Sequence, residues 1–536
     1  MNRPDAFVRR CKRHVVRWLL AAAAVLAYAG AVQAETVLRI VMNSDLKILD
    51  PIWNTAFVIR DHGYMLYDTL FATDAQGEIR PQMVDTTEVS ADKLTYTFTL
   101  RDGLKWHDGQ PVTAEDCVAS IRRWAARDAV GQKLMTFVMA VAARDARTIE
   151  IRLKEPTALL LPALGKPNSN VPFMMPRRIA ETDPFTQIKA EDVIGSGPFV
   201  FIAKEWKPGE KVVFVKNTTY KPRAEPPSGL AGAKIAKVDR IEWIWIPDAQ
   251  TQVAALQSGE VDMLEQPSPD LLPLMAKDKN IKLFDGNPLG NQYALRFNTL
   301  FKPFDNPKIR HAAMVAFNQE DFLKATIGDA KYYKLCKAVF VCGTPLSSDA
   351  GMADVLNANA AKAKQLLTEA GYDGTPVELL QSTDLTVLTN MAPVAKAQLE
   401  AAGFKVNVQA MDWQTLVARR TKKDPPDKGG WNAFITSWGA ADILNPVSAA
   451  FFNASCDKAL FGWPCDETIE KMRDQFAKES DPAKQKQIAI DLQKYWVDHP
   501  THVHLGEWYQ PIALRTDIDG MMVAPATVFW NMSRKK

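Results

Sequence analysis

The sequence predicts an α/β protein of two lobes with a cleft between them. The strand RIEWIWIPD (240–248), a helix at 250–259 and the strand EVDMLEQ (260–266) follow one another, an order that implies some parallel strand pairing. The strand–helix pattern starts again after residue 285 and continues to about residue 505. Because the last strands, within 505–532, return to the first lobe, more than one chain segment crosses between the lobes. Ligands favour interfaces of this kind.

The other elements are predicted from alternating polarity for strands and from a three- to four-residue apolar spacing for helices. Thr113 and Asp116 hold the positions of a helix capping box, so a helix begins there. The predicted strands are 36–44, 94–100, 148–153, 199–206, 211–217, 293–299, 377–382, 405–413 and 431–438. The predicted helices are 58–70, 114–124, 307–327, 358–370, 391–403 and 466–499.

Two stretches mark places where the chain changes direction. Six prolines between residues 156 and 184 indicate a surface passage or a domain boundary. GSGPF (195–199) places two glycines and a proline before a strand, which predicts a tight crossing of backbone segments as the chain re-enters its first lobe. A phosphate-binding loop is the alternative, but G-x-x-x-x-G-K-[ST] and G-x-G-x-x-G are both absent.

The stretch GGWNAFITSWGAADILNP (429–446) is the candidate ligand site. A buried strand runs from Trp431 to Trp438 into a turn of small residues that carries one acid, Asp442. A basic helical stretch with Trp413 and Arg420 precedes it. Aromatic contact area with one charge of each sign suits a clamp for a small zwitterion better than a reaction centre. The alternatives are that Asp442 caps the next helix, that Arg420 belongs to a solvated basic face, and that the tryptophans lie in the core.

Charge and the N-terminus define the cellular setting. The chain has 536 residues with 65 basic and 62 acidic side chains; the first 34 hold six basic and one acidic, so the remainder carries 59 and 61, a net charge of −2. This near-neutral body argues against a nucleic-acid partner. A basic start, an apolar run and the small-residue end Ala31-Val-Gln-Ala34 predict a secretory signal peptide cleaved near Ala34. A membrane anchor is the alternative, but it needs about 20 apolar residues. We therefore expect a periplasmic protein.

Five cysteines follow the signal peptide. In an oxidising compartment Cys336 is expected to pair with Cys342, and Cys456 with Cys465. Cys117 falls on the apolar face of a helix and is predicted to be a buried free thiol. A four-cysteine zinc site is the alternative, but C-x5-C and C-x8-C spacings do not match the usual knuckles. No metal or cofactor is expected.

Four segments, in order, resemble the family 5 solute-binding proteins of ABC importers, which include dipeptide-, oligopeptide-, glutathione- and nickel-binding proteins. They are KLTYTFTLRDGLKWHDGQPVTAEDCVASIRRW (93–124), IGSGPFVF (194–201), LQSGEVDM (256–263) and the turn from Trp438 to Asn445-Pro446. The resemblance implies a bilobal periplasmic-binding-protein fold of type II, cluster C, with an extra inserted domain. Its first lobe would comprise 35–72, 190–286 and 506–536, the insertion 73–189 and the second lobe 287–505.

The resemblance also implies ligand contacts, residue by residue. Asp442 corresponds to the acid that holds a peptide α-ammonium, although it lies one residue further from Trp438 than in the family. In an oligopeptide-binding member of the family, an arginine seven residues after a tryptophan helps to bind the carboxylate end of the peptide. Trp413 and Arg420 keep that spacing. Asp45 and Leu46 match the segment that pairs with a peptide backbone. Dipeptide-binding members of the family place a ligand-binding arginine at the position of residues 381–384, and this segment contains no arginine.

The function that follows is capture of a small peptide or peptide-like solute by a monomer that delivers it to an ABC permease, without enzymatic activity. Binding of a non-peptide solute such as a sugar, an opine, a metal or haem is the first alternative. His499, His502 and His504 are the residues that a metal site would use. An exported hydrolase is the second, but G-x-S-x-G and H-E-x-x-H are absent, and the one S-x-x-K match, Ser90 to Lys93, lies in a turn without the companion motifs.

Overall fold

Three β-sheets, each with its own hydrophobic core, organise residues 35–535, which are the residues that this computed structural model describes. The predicted signal peptide lies outside the described residues. None of the helices between residues 35 and 535 has the length and apolarity that a membrane crossing needs.

The first sheet has seven strands, and we call the part of the molecule built on it lobe I. Strand Val37–Val41 pairs in parallel with Arg240–Ile244 and Met263–Leu264, which confirms the predicted α/β arrangement. The connecting helix Ala249–Ser258 is capped by the Asp248 side chain. In spatial order the strands are Ile281–Phe284, Ile512–Arg515, Met263–Leu264, Val37–Val41, Arg240–Ile244, Lys211–Lys216 and Phe199–Phe201. The other helices are Phe57–Leu66 and Leu272–Met275.

A four-stranded antiparallel sheet interrupts lobe I between its first and second chain segments. The capping box is present as predicted: the Thr113 hydroxyl accepts from the Asp116 amide, and the Asp116 carboxylate accepts from the Thr113 amide. In spatial order the strands are Val84–Val89, Thr95–Leu100, Thr148–Leu153 and Val138–Ala143. The helices are Ala114–Arg127, Ala129–Phe137, Leu160–Leu164 and Arg177–Ala180. Two small two-stranded sheets join Phe71–Thr73 to Ile79–Pro81 and Ile518–Asp519 to Ser533–Arg534.

The third sheet has six strands and carries what we call lobe II. In spatial order its strands are Tyr333–Lys334, His502–Trp508, Asn291–Phe297, Ala433–Gly439, Val377–Ser382 and Val406–Met411. Its helices are Pro307–Ala316, Gln319–Thr326, Ala360–Glu369, Thr386–Thr389, Met391–Ala401, Trp413–Arg419, Glu467–Lys478 and Pro482–Asp498.

Two details of lobe II differ from the sequence-based expectation. The single helix expected at 466–499 is two helices, because the Asp481 side chain caps a new helix that has Pro482 at its first position. The domain boundary expected at residue 506 falls inside strand His502–Trp508, which pairs with Asn291–Phe297 in the lobe II sheet. Alternating polarity predicted a strand here but could not tell which sheet it would join. The chain crosses between the lobes at 285–290 and 509–511.

The glycines of GSGPF make the close backbone crossing that the sequence predicts. The Gly197 amide donates to the Leu66 carbonyl at 2.7 Å. A Cβ added at Gly195 would lie 1.9 Å from that carbonyl oxygen. The chain therefore re-enters lobe I where only a residue without a side chain fits.

Replacing Gly195 with alanine should lower the free energy of unfolding by about 1–3 kcal/mol, because backbone must move to admit the methyl group. Urea unfolding followed by circular dichroism measures this. Ser196→Ala is the matched control: the Ser196 hydroxyl is buried and has no hydrogen-bond partner among residues 35–535. Equal losses in the two variants would contradict the role given to Gly195.

The cysteines pair as predicted. Disulfides join Cys336 to Cys342 and Cys456 to Cys465. Cys117 is a buried free thiol on helix Ala114–Arg127. Burial raises the pKa of Cys117 well above its usual range, so this thiol is unreactive. The four cysteines of the alternative zinc site thus form two separate disulfides and do not come together as one four-sulfur site.

Candidate functional site

Two adjoining chambers lie between lobe I and lobe II. Counted with the open solvent at their mouths, they enclose about 540 and 490 Å³ of space. Asn43, Phe57 and Gln266 line both chambers, so the two form one continuous cleft.

The smaller chamber, which we call the aromatic chamber, is walled mainly by lobe II. Trp413 and Trp438, two of the predicted site residues, lie on its wall together with Trp508. All three tryptophans are at least nine-tenths buried. The remaining lining residues, apart from the three shared with the other chamber, are Thr55, Ala56, Ser169, Leu385, Val387, Leu388, Arg420, Thr436 and Ser437.

Helix geometry explains why Trp413 and Arg420 face the same chamber. They stand at the two ends of helix Trp413–Arg419, and seven residues are almost two complete turns. The Asp412 side chain caps this helix, and the Asp384 carboxylate accepts from the Trp413 amide at 2.7 Å. Segment 381–384, which lacks the dipeptide-binding arginine, thus holds the helix in place.

Arg420 is a buried cation without an anion. Its side chain is 2% exposed, and its polar contact in the described chain is one 3.3 Å hydrogen bond that it donates to the Thr55 hydroxyl. The Nε atom has no partner within residues 35–535, and no carboxylate there pairs with the guanidinium. The guanidinium lies over the Phe461 ring at 4.3 Å and over the Trp413 ring at 5.4 Å. Burial lowers the pKa of Arg420 to about 9. An incoming carboxylate would supply the missing partner.

Asp442 ends the short helical turn Ala440–Asp442 that follows strand Ala433–Gly439. It is 4% exposed and accepts a 2.7 Å hydrogen bond from the Ser169 hydroxyl, which belongs to the proline-rich passage. Burial raises the pKa of Asp442 to about 6. The carboxylate does not cap a helix and lies behind the chamber wall. Ser169 stands on the wall in its place.

Asp45 and Leu46 are turned away from both chambers, contrary to the expectation. The Asp45 carboxylate accepts from the Gly209 amide at 2.8 Å, and the Leu46 carbonyl accepts from the Trp206 indole at 3.0 Å, both within lobe I. The chain bends directly after strand Val37–Val41, so that Asn43 is the residue that reaches the cleft.

The larger chamber, which we call the amide chamber, is rich in carboxamides. Its amide-bearing residues are Asn43, Gln266, Asn287, Asn291 and Gln510. Its charged residues, Arg60 and Glu265, are already hydrogen-bonded to neighbouring groups. The Glu265 carboxylate accepts from the Asn43 amide and carboxamide at 2.8 and 2.7 Å. The Arg60 guanidinium pairs with Asp61 at 2.8 Å and also donates to the Asn168 side chain. This chamber therefore offers mainly neutral hydrogen-bonding groups, and its Glu265 carboxylate is held by the neutral Asn43.

Sequence reasoning missed Asn43, Ser169 and Trp508. Ser169 has a φ of 35° and Asn170 a φ of 46°, both in the left-handed region that ordinary residues rarely occupy. Such strain is common at functional sites, but backbone angles of this kind cannot be predicted from the sequence. The prolines around Ser169 indicated only a boundary.

The three histidines of the alternative metal site do not converge. His499 stacks on Tyr495 at 4.1 Å, and His502 packs among Phe451, Phe452 and Trp496. His504 meets the Ala338 carbonyl through Nδ1. The three rings thus contact different neighbours and do not form one site.

Comparison with known proteins agrees with this architecture. The family model described as bacterial extracellular solute-binding proteins, family 5 Middle, matches residues 78–459. A probable peptide ABC transporter periplasmic-binding protein, y4tO of Sinorhizobium fredii, is 39% identical over 507 residues, 94% of each chain. The glutathione-binding protein GsiB of Pectobacterium atrosepticum is 28% identical over 96% of this chain and 97% of its own.

Solved structures show the same fold at lower identity. The periplasmic binding protein AgaA from A. tumefacien R10, in complex with agropinic acid, has a TM-score of 0.77 at 21% identity and covers 93% of this chain and 99% of its own. DppA from Helicobacter pylori, in complex with the peptide STSA, has a TM-score of 0.76 at 21% identity and covers 94% and 99%. These matches show the type II periplasmic-binding-protein fold. The chain belongs to the family 5 bacterial extracellular solute-binding proteins.

Proposed function

We propose that this protein is the periplasmic solute-binding component of an ABC importer, and that it captures a small peptide or peptide-like solute through the solute's carboxylate. The observation that carries the proposal is Arg420: a guanidinium that is 2% exposed, stands on a chamber wall and has no carboxylate partner in the described chain. Leaving a charge buried and unpaired is costly, and a bidentate carboxylate is the partner that best matches a guanidinium.

The rest of the aromatic chamber fits this ligand class. Trp413, Trp438 and Trp508 offer large apolar contact area beside the charge. Ser169 on the chamber wall donates a hydrogen bond to the Asp442 carboxylate behind it. This second, negative group suits a ligand's ammonium. The name of the 39% identical relative, a probable peptide-binding component, supports the same ligand class.

The test is a thermal-shift and calorimetry series on the mature, tag-free protein. Di- to pentapeptides with free termini should raise the melting temperature, because a ligand that binds only the folded state stabilises it by mass action. The matched controls are the same peptides with an amidated C-terminus, which removes the carboxylate, and with an acetylated N-terminus. If amidated peptides bind as tightly as the free acids, the assignment to Arg420 is wrong.

A second candidate is a non-peptide acid, and the amide chamber is the observation that favours it. Five carboxamides suit a hydroxyl-rich group better than an apolar side chain. Mass spectrometry of the small molecules that co-purify with the native protein separates the two candidates. A hydroxylated acid in place of peptides, with no thermal shift from di- to pentapeptides or glutathione, would select this alternative.

For the whole chain we propose export, cleavage near Ala34 and action as a monomer that meets a membrane permease. We propose that lobe I comprises 35–72, 190–286 and the residues from 509 onward, that the insertion is 73–189, and that lobe II comprises 287–508. The crossings at 285–290 and 509–511 support these boundaries. Closure of the two lobes over the ligand would present the form that the permease recognises.

A further inference from the structure

A buried group of metal-ligand atoms lies in lobe II, apart from the two chambers' linings. Cys336, His504 and Glu507 are 1%, 0% and 2% exposed. One potential ligand atom from each lies within 4.8 Å of the other two. His504 and Glu507 belong to strand His502–Trp508, and Cys336 lies on a neighbouring loop.

A β-bulge brings His504 and Glu507 together. In a regular strand, residues three apart point to opposite faces. Here Glu507 pairs with Gln292 and His504 with Ala294, so three steps on one strand oppose two on the other. Gly506, with a φ of 108°, supplies the backbone conformation of the bulge. Bulges often re-aim side chains at functional positions.

In His504 and in Glu507, one polar atom of the side chain is held by a hydrogen bond and the second polar atom has no partner among the described residues. His504 Nδ1 lies 2.6 Å from the Ala338 carbonyl and 3.2 Å from the Gln292 carboxamide nitrogen; a carbonyl can only accept, so Nδ1 donates to Ala338 and the lone pair is on Nε2. Glu507 Oε1 accepts from the Cys342 amide at 2.7 Å. His504 Nε2 and Glu507 Oε2 are buried and have no hydrogen-bond partner between residues 35 and 535. An outer contact that orients a ligand while its inner atom stays free is the usual arrangement around a protein-bound metal.

The disulfide decides whether sulfur can join this group. In the structure Cys336 is bonded to Cys342, and a disulfide sulfur is not a thiolate. Reduction would leave two thiols beside His504 and Glu507. Two sulfurs, one imidazole nitrogen and one carboxylate oxygen form a four-ligand set of the kind that Zn²⁺ prefers.

We propose that reduction of the Cys336–Cys342 disulfide creates a Zn²⁺ site formed by the two cysteine sulfurs, His504 Nε2 and Glu507 Oε2. A dithiol supplies two electrons and two protons, the S–S bond breaks, and the dithiol becomes a disulfide. Zn²⁺ then displaces the two thiol protons to solvent and binds both sulfurs, the imidazole lone pair and the carboxylate. The bound ion would cross-link the loop to the strand in place of the disulfide. This inference goes beyond solute capture and does not depend on it.

The experiment measures zinc in the mature, tag-free protein, with and without a phosphine reductant that delivers the same two electrons. The protein is incubated with ZnCl₂, passed through gel filtration and analysed for metal. We expect about one zinc per reduced chain and less than a tenth of that per oxidised chain. Zinc should also raise the melting temperature of the reduced protein.

Matched variants locate the site. The Cys456→Ser/Cys465→Ser protein lacks the other disulfide and should keep reduction-dependent zinc binding. The Cys336→Ser/Cys342→Ser protein should lose it, and Glu507→Gln, which keeps an oxygen facing the Cys342 amide, should bind zinc at least 10-fold more weakly under reducing conditions. If the double serine variant does not fold, Glu507→Gln decides. Equal zinc binding with and without reductant, no binding in either state, or unchanged affinity in Glu507→Gln would overturn the proposal.

Discussion

Replacing Arg420 with glutamine should weaken binding of a free-carboxylate peptide by about 30-fold to more than 1,000-fold. Truncating one partner of a buried, hydrogen-bonded charge pair typically costs about 2–5 kcal/mol. The ligand-free protein should not lose stability, because the variant removes a buried charge that has no carboxylate partner between residues 35 and 535. Burial lowers the pKa of Arg420 from its ordinary value to about 9, which corresponds to a penalty of several kcal/mol. The contacts with the Phe461 and Trp413 rings offset part of this penalty, about 2 kcal/mol.

Calorimetry and thermal unfolding of ligand-free and peptide-bound protein measure both effects. Arg419→Gln is the matched control, since Arg419 is the adjacent residue and donates only to the carbonyls of Gly429 and Gly430. It should bind peptide as the wild type does. Arg420→Gln should also bind free-acid and amidated peptides equally weakly. A preference for the free acid that survives in Arg420→Gln would show that the carboxylate is held elsewhere.

Replacing Asp442 with asparagine should weaken binding of a free-amine peptide by at least 10-fold at pH 7.5 and raise the stability of the ligand-free protein. Burial raises the pKa of Asp442 from 3.8 to about 6, so the folded state binds a proton more readily than the unfolded state. Ionised Asp442 therefore destabilises the fold above about pH 6, by up to about 3 kcal/mol. As the pH falls from about 6 towards 3.8, wild-type stability should gain this amount. Asparagine should remove this part of the pH dependence.

Urea unfolding at pH 4.5 and 7.5 measures the stability difference, which should be larger at pH 7.5. Asp45→Asn is the control for binding, because Asp45 is also buried but bonds to the Gly209 amide away from both chambers. N-acetylated peptides should bind wild type and Asp442→Asn alike. If Asp45→Asn weakens peptide binding as much as Asp442→Asn does, the orientation described for segment 43–46 is wrong.

Features that depend on nearby residues were predictable from the sequence. The capping of helix Ala114–Arg127, the glycine crossing at residue 195 and the two disulfides each arise from contacts in a short segment or from a residue type that alone fits. Trp413 and Arg420 share a chamber because seven residues are two helical turns, which is also a local property. Four ordered motifs were enough to identify the family.

Which side chains face the cleft was decided by contacts between distant segments. Ser169 meets Asp442 across 273 residues, and Asp45 is held by Gly209 across 164. Whether strand His502–Trp508 belongs to one sheet or the other depends on its partner, Asn291–Phe297. The sequence alone determined that this protein has a bilobal solute-binding fold, with a tryptophan and an arginine two helical turns apart on the same face of a helix. The tertiary structure alone decided that Arg420 has no carboxylate partner among residues 35–535, because the pairing of a buried charge depends on every segment that packs around it.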